Sequence, residues 1–213
     1  GNATGISYAV NSSAKGIADA INTAAAGIGI SATASNSATL SGFTNIASSG
    51  DTVTFDIGQL GSVSNISATL TSSNDLTALV SAINGVSSAT GISASFTNIA
   101  DKSNISLKSI DGRDIFIDNF VDTGTNGTAS FNSTATGATA QTINNTNDGS
   151  LAVGVVELSS TKSFSTATAN ADAFAVAGVN NSAFTSVSGL DISGTDGSGA
   201  QAAINVIDAA LRQ

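Results

Sequence analysis

Apolar and polar residues alternate along several stretches of the chain in the manner of half-buried strands. Residues 52–57 alternate strictly, and residues 104–110 and 114–117 alternate on either side of an Asp-Gly step. An Asp-Gly step between two alternating stretches favours a type I′ turn, whose central residues need positive φ. We therefore predict a strand over 52–57 and an antiparallel hairpin centred on Gly112.

Two other stretches show helical spacing followed by a turn and a strand. Residues 15–22 (KGIADAIN) and 77–84 (TALVSAIN) place apolar side chains at i, i+3 and i+4, which is one face of a helix. Asp75 precedes the second stretch, where a carboxylate caps a helix favourably. Gly29 and Gly91 follow in the same register, and an Ile-Ser-Ala strand comes after each. This agreement without gaps predicts an internal duplication.

The pattern is weaker in the second half of the chain. Residues 122–150 are rich in Thr, Gly, Asn and Ser, which predicts loops and short strands at the solvent face. Residues 151–158 predict another strand, and Phe164 and residues 174–176 suggest two more.

The last residues again show helical periodicity. Residues 200–211 predict a helix whose apolar stripe consists of Ile204, Ile207 and Leu211. Little of the sequence follows that could cover this stripe. We therefore expect a partner helix outside this sequence, and we expect these three side chains to contact it.

Together these elements predict an α+β fold dominated by antiparallel strands, with two repeated helix-turn-strand units and a C-terminal helix. We divide the chain into residues 1–63 and 64–122, the two repeat units, residues 123–180, a Thr- and Gly-rich region of loops and strands, and residues 181–213, a turn and the terminal helix.

Composition excludes several classes of function. The 213 residues include no His and no Cys, which removes thiol nucleophiles, His-containing triads and most transition-metal sites. The formal net charge is −9, and the six basic residues are scattered, so nucleic acid would meet no clustered cationic face. No apolar stretch approaches the roughly 20 residues that span a bilayer. We predict no cofactor, no nucleic-acid partner and no membrane insertion.

Acidic residues raise two further hypotheses. Asp111, Asp114 and Asp118 lie close together in sequence, and paired carboxylates hydrolyse glycosides. We interpret them as solvated side chains on the strand face opposite Ile115 and Ile117. The segment from Asp191 to Asp196 offers oxygen ligands for calcium, but it does not fit the twelve-residue loop with a closing Glu. We interpret it as a turn before the last helix.

The C-terminal segment carries the clearest resemblance to a known family. Residues 188–193 (SGLDIS) and 200–213 (AQAAINVIDAALRQ) are very similar to the point where bacterial flagellins return from variable outer domains to their helical core. Residues 154–164 resemble the strand pair that precedes that junction. The two repeat units resemble the internal repeat motif of flagellins, which also occurs in the filament cap protein.

The resemblance implies a structural, non-enzymatic subunit of the extracellular flagellar filament. Other flagellin subunits would be its partners, and this chain would be the surface-exposed variable region, with residues 123–142 as candidates for O-linked glycans. The alternative is a cell-surface flagellin homologue that acts as an adhesin or polysaccharide receptor. In that case Lys102, Lys108 and Arg113, which lie near one predicted hairpin, would contact an acidic polysaccharide.

Overall fold

Antiparallel strands far outweigh helices in the computed structural model, which describes residues 4–124, 126–160, 162–168, 178–182 and 203–204. The predicted α+β, β-dominated fold class is confirmed. The helices are Ala14–Ala25 (α1), Thr77–Gly85 (α2) and Ser87–Thr90 (α3). The strands are Ile30–Ser41 (β1), Asp51–Gln59 (β2), Ser62–Leu70 (β3), Ile92–Asn98 (β4), Asp101–Ser109 (β5), Ile115–Asp122 (β6), Thr128–Ser133 (β7), Gln141–Asn144 (β8), Ser150–Ala152 (β9), Val155–Ser160 (β10), Ser165–Thr168 (β11) and Gly178–Asn181 (β12).

The chain divides into two compact units. The larger contains Ile6–Ile21 and Ala32–Glu157, and the smaller contains the described residues outside these ranges. In the smaller unit, β11 and β12 form an antiparallel pair. The division after residues 63, 122 and 180 stays a prediction.

Two antiparallel sheets build the larger unit. One has the strand order β4-β5-β1-β7-β8, with β10 also pairing with β1, and the other has the order β3-β2-β6-β9. Alternation decides which face is buried. In β2, the side chains of Val53, Phe55 and Ile57 are fully buried, whereas the residues between them are half-buried. The strand predicted over residues 52–57 is therefore confirmed.

The inner faces of both sheets contribute to one hydrophobic core. Aliphatic side chains make up most of it, and three of its aromatic rings form one group. The ring centroid of Phe120 lies 6.1 Å from that of Phe55 and 6.4 Å from that of Phe43. Small and β-branched side chains suit the thin layer between two packed sheets.

Helix α2 packs against β3 and β4, which are edge strands of the two sheets. Leu79 and Ile83 are buried, as their spacing predicts. The cap expected from Asp75 is wrong, because the N-cap residue is Leu76 and no side chain caps the helix. The Asp75 carboxylate instead accepts a hydrogen bond from the Thr77 backbone N–H at 3.0 Å, in a turn just before the helix.

The Asn84 side chain joins the end of α2 to β4. Its Nδ2 donates to the carbonyl oxygen of Ala94 at 2.9 Å, and its Oδ1 accepts from the Ala94 backbone N–H at 2.8 Å. Since β4 is an edge strand, these bonds satisfy backbone groups that no neighbouring strand reaches. The Asn of this repeat motif therefore has a structural task.

The hairpin predicted around Gly112 is wrong. Gly112 has the expected positive φ of 76°, but β5 pairs with β1 and β4, whereas β6 pairs with β2 and β9 in the other sheet. The turn therefore connects the two sheets. On either side of it, β5 and β6 each pack an apolar face into the core, one from each sheet. A Cβ at Gly112 would lie 2.4 Å from the backbone carbon of Ala34, so the crossing also needs glycine for space.

Residues 122–150 do form short strands, namely β7, β8 and the start of β9. Their placement at the solvent face is wrong for Ala129, Phe131 and Ile143, which are at most 1% exposed. Each lies on the inner face of its strand, so single apolar residues among polar ones are sufficient to extend the core. The strand predicted over residues 151–158 is interrupted at Gly154, between β9 and β10.

The first repeat differs in detail from its prediction. Helix α1 continues past Asn22 to Ala25, and its buried positions are Ala14, Ala18, Ile21 and Ala25, with Ile17 only half-buried. Gly29 and Gly91 have φ of 76° and 70°, which confirms the turns before β1 and β4. The strand suggested near Phe164 is β11, and residues 174–176 lie outside the described residues.

We expect Asn84→Ala to lower the free energy of unfolding by about 1–3 kcal/mol, because the Ala94 backbone groups lose both of their side-chain partners. Urea denaturation checks this value. Ser88→Ala, at an exposed position on α3, is the control and should change stability by less than about 0.5 kcal/mol. Equal effects of the two substitutions would contradict the role of Asn84.

Candidate functional site

The outer face of the six-stranded sheet carries two of the three basic residues singled out from the sequence. Lys102 and Lys108 lie on β5, on the face opposite the buried side chains of Ile105 and Leu107. Both lysines are exposed. At a rise of about 3.3 Å per residue, their Cα atoms are roughly 20 Å apart.

Hydroxyl and amide side chains occupy much of the rest of this face. Lys108 lies opposite Ser37 of β1 and Ser93 of β4, and Thr39 lies opposite Ser106 on one side and Asn132 on the other. Such a surface hydrates well and forms the solvated side of a sheet whose other side is buried.

Arg113 has a different environment from the two lysines. Its Nε lies 2.9 Å from Asp111 Oδ2, and its Nη1 donates to Gln59 Oε1 at 2.7 Å. Its charge is therefore paired at the crossing between the sheets, and Lys102, Lys108 and Arg113 do not form one cationic cluster. Their contact with an acidic polysaccharide stays a prediction.

Only one of the three predicted helix-packing residues lies in the described part of the chain. Ile204 is helical and 58% exposed, whereas the adjacent Ala203 is 5% exposed. Ile207 and Leu211 lie outside the described residues, as does the segment from Asp191 to Asp196.

The three neighbouring acids have separate environments. Asp111 is paired with Arg113, and Asp118 is half-buried. Asp114 was expected to be solvated, but it is half-buried, with its Oδ1 buried and without a hydrogen-bond partner. Burial raises the pKa of the Asp114 carboxyl above its usual 3.8, and a hydrogen bond from the Gly154 N–H acts in the opposite direction.

Two buried acids that were not predicted from the sequence lie at one end of the core. Asp51 begins β2 and Asp122 ends β6, and these residues are 8% and 2% exposed. Both lie on inner faces, in phase with Val53 and Phe120. Strand alternation is the signal that would have found them, because each stands two positions from a buried apolar residue.

Each of these two acids accepts a hydrogen bond from a backbone N–H group, but that of Asp122 leaves one oxygen without a partner. Asp51 Oδ2 accepts from the Ala47 N–H at 2.6 Å, and Asp122 Oδ1 accepts from the Gly124 N–H at 2.9 Å. Asp122 Oδ2 is buried and has no partner. Within the described residues, neither carboxylate forms a salt bridge.

A shallow groove of about 510 Å³ lies between the β7–β8 connection and β9. Its lining includes Phe131, Leu151 and Val153 together with Ser and Thr side chains, and none of the lining side chains is titratable. The groove itself therefore offers apolar contact and hydroxyl groups rather than acid–base chemistry.

The described residues contain no group of three or more acidic side chains placed to hold a metal ion. They also contain no helix that is long and apolar enough to cross a membrane.

No family model matches the chain, and no curated protein matches it. One solved structure that does match is the crystal structure of the flagellar cap protein FliD D2-D3 domains from Escherichia coli. It is 14% identical, with a TM-score of 0.27, over 75% of this chain and 95% of that chain. A TM-score this low carries no argument about function.

We expect Asp114→Asn to raise the melting temperature at about pH 7. The folded-state pKa of Asp114 is raised, so protonation of this carboxyl favours the folded state at pH values below 3.8, and this stabilisation is lost as the pH rises through the folded-state pKa. The neutral amide of the variant does not lose it. The melting temperatures of the two proteins should therefore become equal at about pH 3. Thermal denaturation at both pH values, with Asp118→Asn as control, checks this. A lower melting temperature of the variant at pH 7 would contradict it.

Proposed function

We propose that this chain is the surface-exposed, variable part of a bacterial flagellin, a structural subunit of an extracellular filament that acts without catalysis. In this proposal, helices of the full-length protein polymerise with those of other flagellin subunits. The chain described above decorates the outside of the filament.

The observation that carries the proposal is how the longest segment of the larger unit, Ala32–Glu157, begins and ends. It begins within β1 and ends within β10, and these two strands pair with each other. Just outside this segment, the Ser31 and Ser159 hydroxyl oxygens are 2.8 Å apart, and the Ser160 hydroxyl donates to the Gly29 carbonyl at 2.8 Å. An inserted domain that projects from an assembling core needs two neighbouring connections, whereas a terminal appendage needs only one.

The surface of the larger unit is a second support. Ser, Thr and Asn side chains cover the outer face of the six-stranded sheet, and the lysines on it are widely spaced. A module on the exterior of a filament has to remain hydrated and must not pair with its neighbours through open apolar faces. The polar face of β1, β4, β5 and β7 meets this requirement.

The choice of filament subunit over cap protein rests on the sequence. Both families carry the repeat motif, but residues 188–213 resemble the flagellin return to the helical core. A cell-surface adhesin would share the same resemblance, so the location of the protein on the cell separates these three roles.

We expect serum raised against this chain to label filaments along their length in immunogold electron microscopy of the source cells. Serum pre-adsorbed with the purified chain is the control and should remove the gold. Label confined to filament tips would replace the proposal with a cap protein. Label spread over the cell body would replace it with the surface-receptor alternative.

A further inference from the structure

The chain contains two Asn-Gly steps, Asn84-Gly85 and Asn126-Gly127. Asparagine is a thermolabile residue, because the backbone nitrogen of the following residue can attack its side-chain carbonyl carbon. A following glycine has no Cβ to hinder this attack. By sequence alone, the two steps are therefore equivalent sites for loss of the side-chain amide.

The fold protects the first of these steps. Asn84 lies near the end of α2, and its side chain exchanges two hydrogen bonds with the Ala94 backbone, at 2.9 Å through Nδ2 and 2.8 Å through Oδ1. The helix also fixes the position of the Gly85 nitrogen. Attack on Asn84 therefore requires the loss of both hydrogen bonds and local unfolding at the end of α2.

Asn126 lies in the loop between β6 and β7 and has no comparable protection. In the described part of the chain, no hydrogen bond holds its side-chain amide, and none holds the Gly127 N–H. The side chains of Asn84 and Asn126 are both exposed, so hydrogen bonding rather than exposure distinguishes the two steps.

The backbone at Asn126 also permits rearrangement. Its φ of 57° lies in the left-handed region, which is less favourable than the right-handed helical or extended regions for a residue with a Cβ. The local backbone therefore does not oppose rotation of Asn126 towards the geometry of attack.

We propose that Asn126 is a site of spontaneous deamidation in the folded chain. The Gly127 backbone nitrogen loses its proton and forms a bond to Asn126 Cγ. The bond between Cγ and Nδ2 breaks, and the amide leaves as ammonia, so that a five-membered succinimide remains. Water then adds to one of the two ring carbonyl carbons and opens the ring to aspartate or isoaspartate. Water is the only reactant besides the chain itself.

The modification falls where the fold tolerates little change. The Asn126 carbonyl oxygen accepts a hydrogen bond from Asn45 Nδ2 at 3.0 Å, which links the loop after β6 to the loop before β2. Gly127 is buried, and a Cβ there would lie 1.4 Å from Asp122 Oδ2. Isoaspartate lengthens the main chain by one methylene group, which displaces both contacts. Either product also adds a negative charge to the loop that follows the buried Asp122. Deamidation therefore weakens this end of the core, whatever the role of the chain in a filament.

The test is incubation of the purified 213-residue chain in a mildly alkaline buffer, below its melting temperature, with peptide mapping by mass spectrometry at intervals. The mapping detects the gain in mass when an amide becomes a carboxylate, and chromatography separates aspartate from isoaspartate. In the folded chain, Asn126 should convert at least about tenfold faster than Asn84, because Asn84 must first lose two hydrogen bonds. In urea, where neither side chain is held, both should convert at similar rates.

Asn126→Gln is the matched control. Glutamine keeps the amide and the charge of the loop, but it would have to close a six-membered ring, which forms far more slowly. After the same incubation, the melting temperature of the wild type should fall by roughly 2–4 °C, the shift expected when a chain of this size loses one such interaction. The melting temperature of Asn126→Gln should not change with incubation.

Three results would overturn the proposal. An intact Asn126 in the folded chain, with both steps converted in urea, would mean that the loop protects it. Equal rates for Asn84 and Asn126 in the folded chain would mean that the fold does not select between them. An equal fall in melting temperature for the wild type and Asn126→Gln would assign the loss of stability to other residues.

Discussion

The fold depends on the burial of one aliphatic face from each of two antiparallel sheets. With no Cys and no Trp in the chain, neither disulfides nor large indole rings contribute, so strand alternation and close packing have to supply the stability. Fully burying a side chain such as Leu40 or Ile117 contributes about 1.5–3 kcal/mol. Every strand of the core therefore needs its apolar residues in phase, and edge strands need protection, which Asn84 gives to β4.

The same alternation that builds the core also places charge at its end. Asp51 and Asp122 occupy inner positions one step beyond the apolar residues of β2 and β6. In the middle of a strand such positions would hold Val or Phe. At the strand ends, beneath glycine-containing loops, they hold carboxylates.

The periodicity of apolar residues predicted individual helices and strands well. It failed for strand pairing and burial, which depend on segments that are distant in sequence. The period of residues 77–84 gave α2, and strict alternation gave β2, because each segment buries one of its own faces. The turn at Gly112 also formed, but its flanking strands belong to different sheets, since β5 pairs with β1 and β6 pairs with β2, and both partners lie far away in sequence. Phe131 and Ile143 were placed at the surface because an isolated apolar residue in a polar stretch gives no periodic signal. The acidic pair was missed for a related reason, since carboxylates were sought as neighbours in sequence.

The central proposal is that the larger unit projects from the exterior of a filament. The most direct measurement is a helical cryo-electron microscopy reconstruction of filaments purified from the source cells. The account predicts that the two sheets fit the outermost density shell. Density for this unit in the inner wall, or its absence along the length of the filament, would contradict the account.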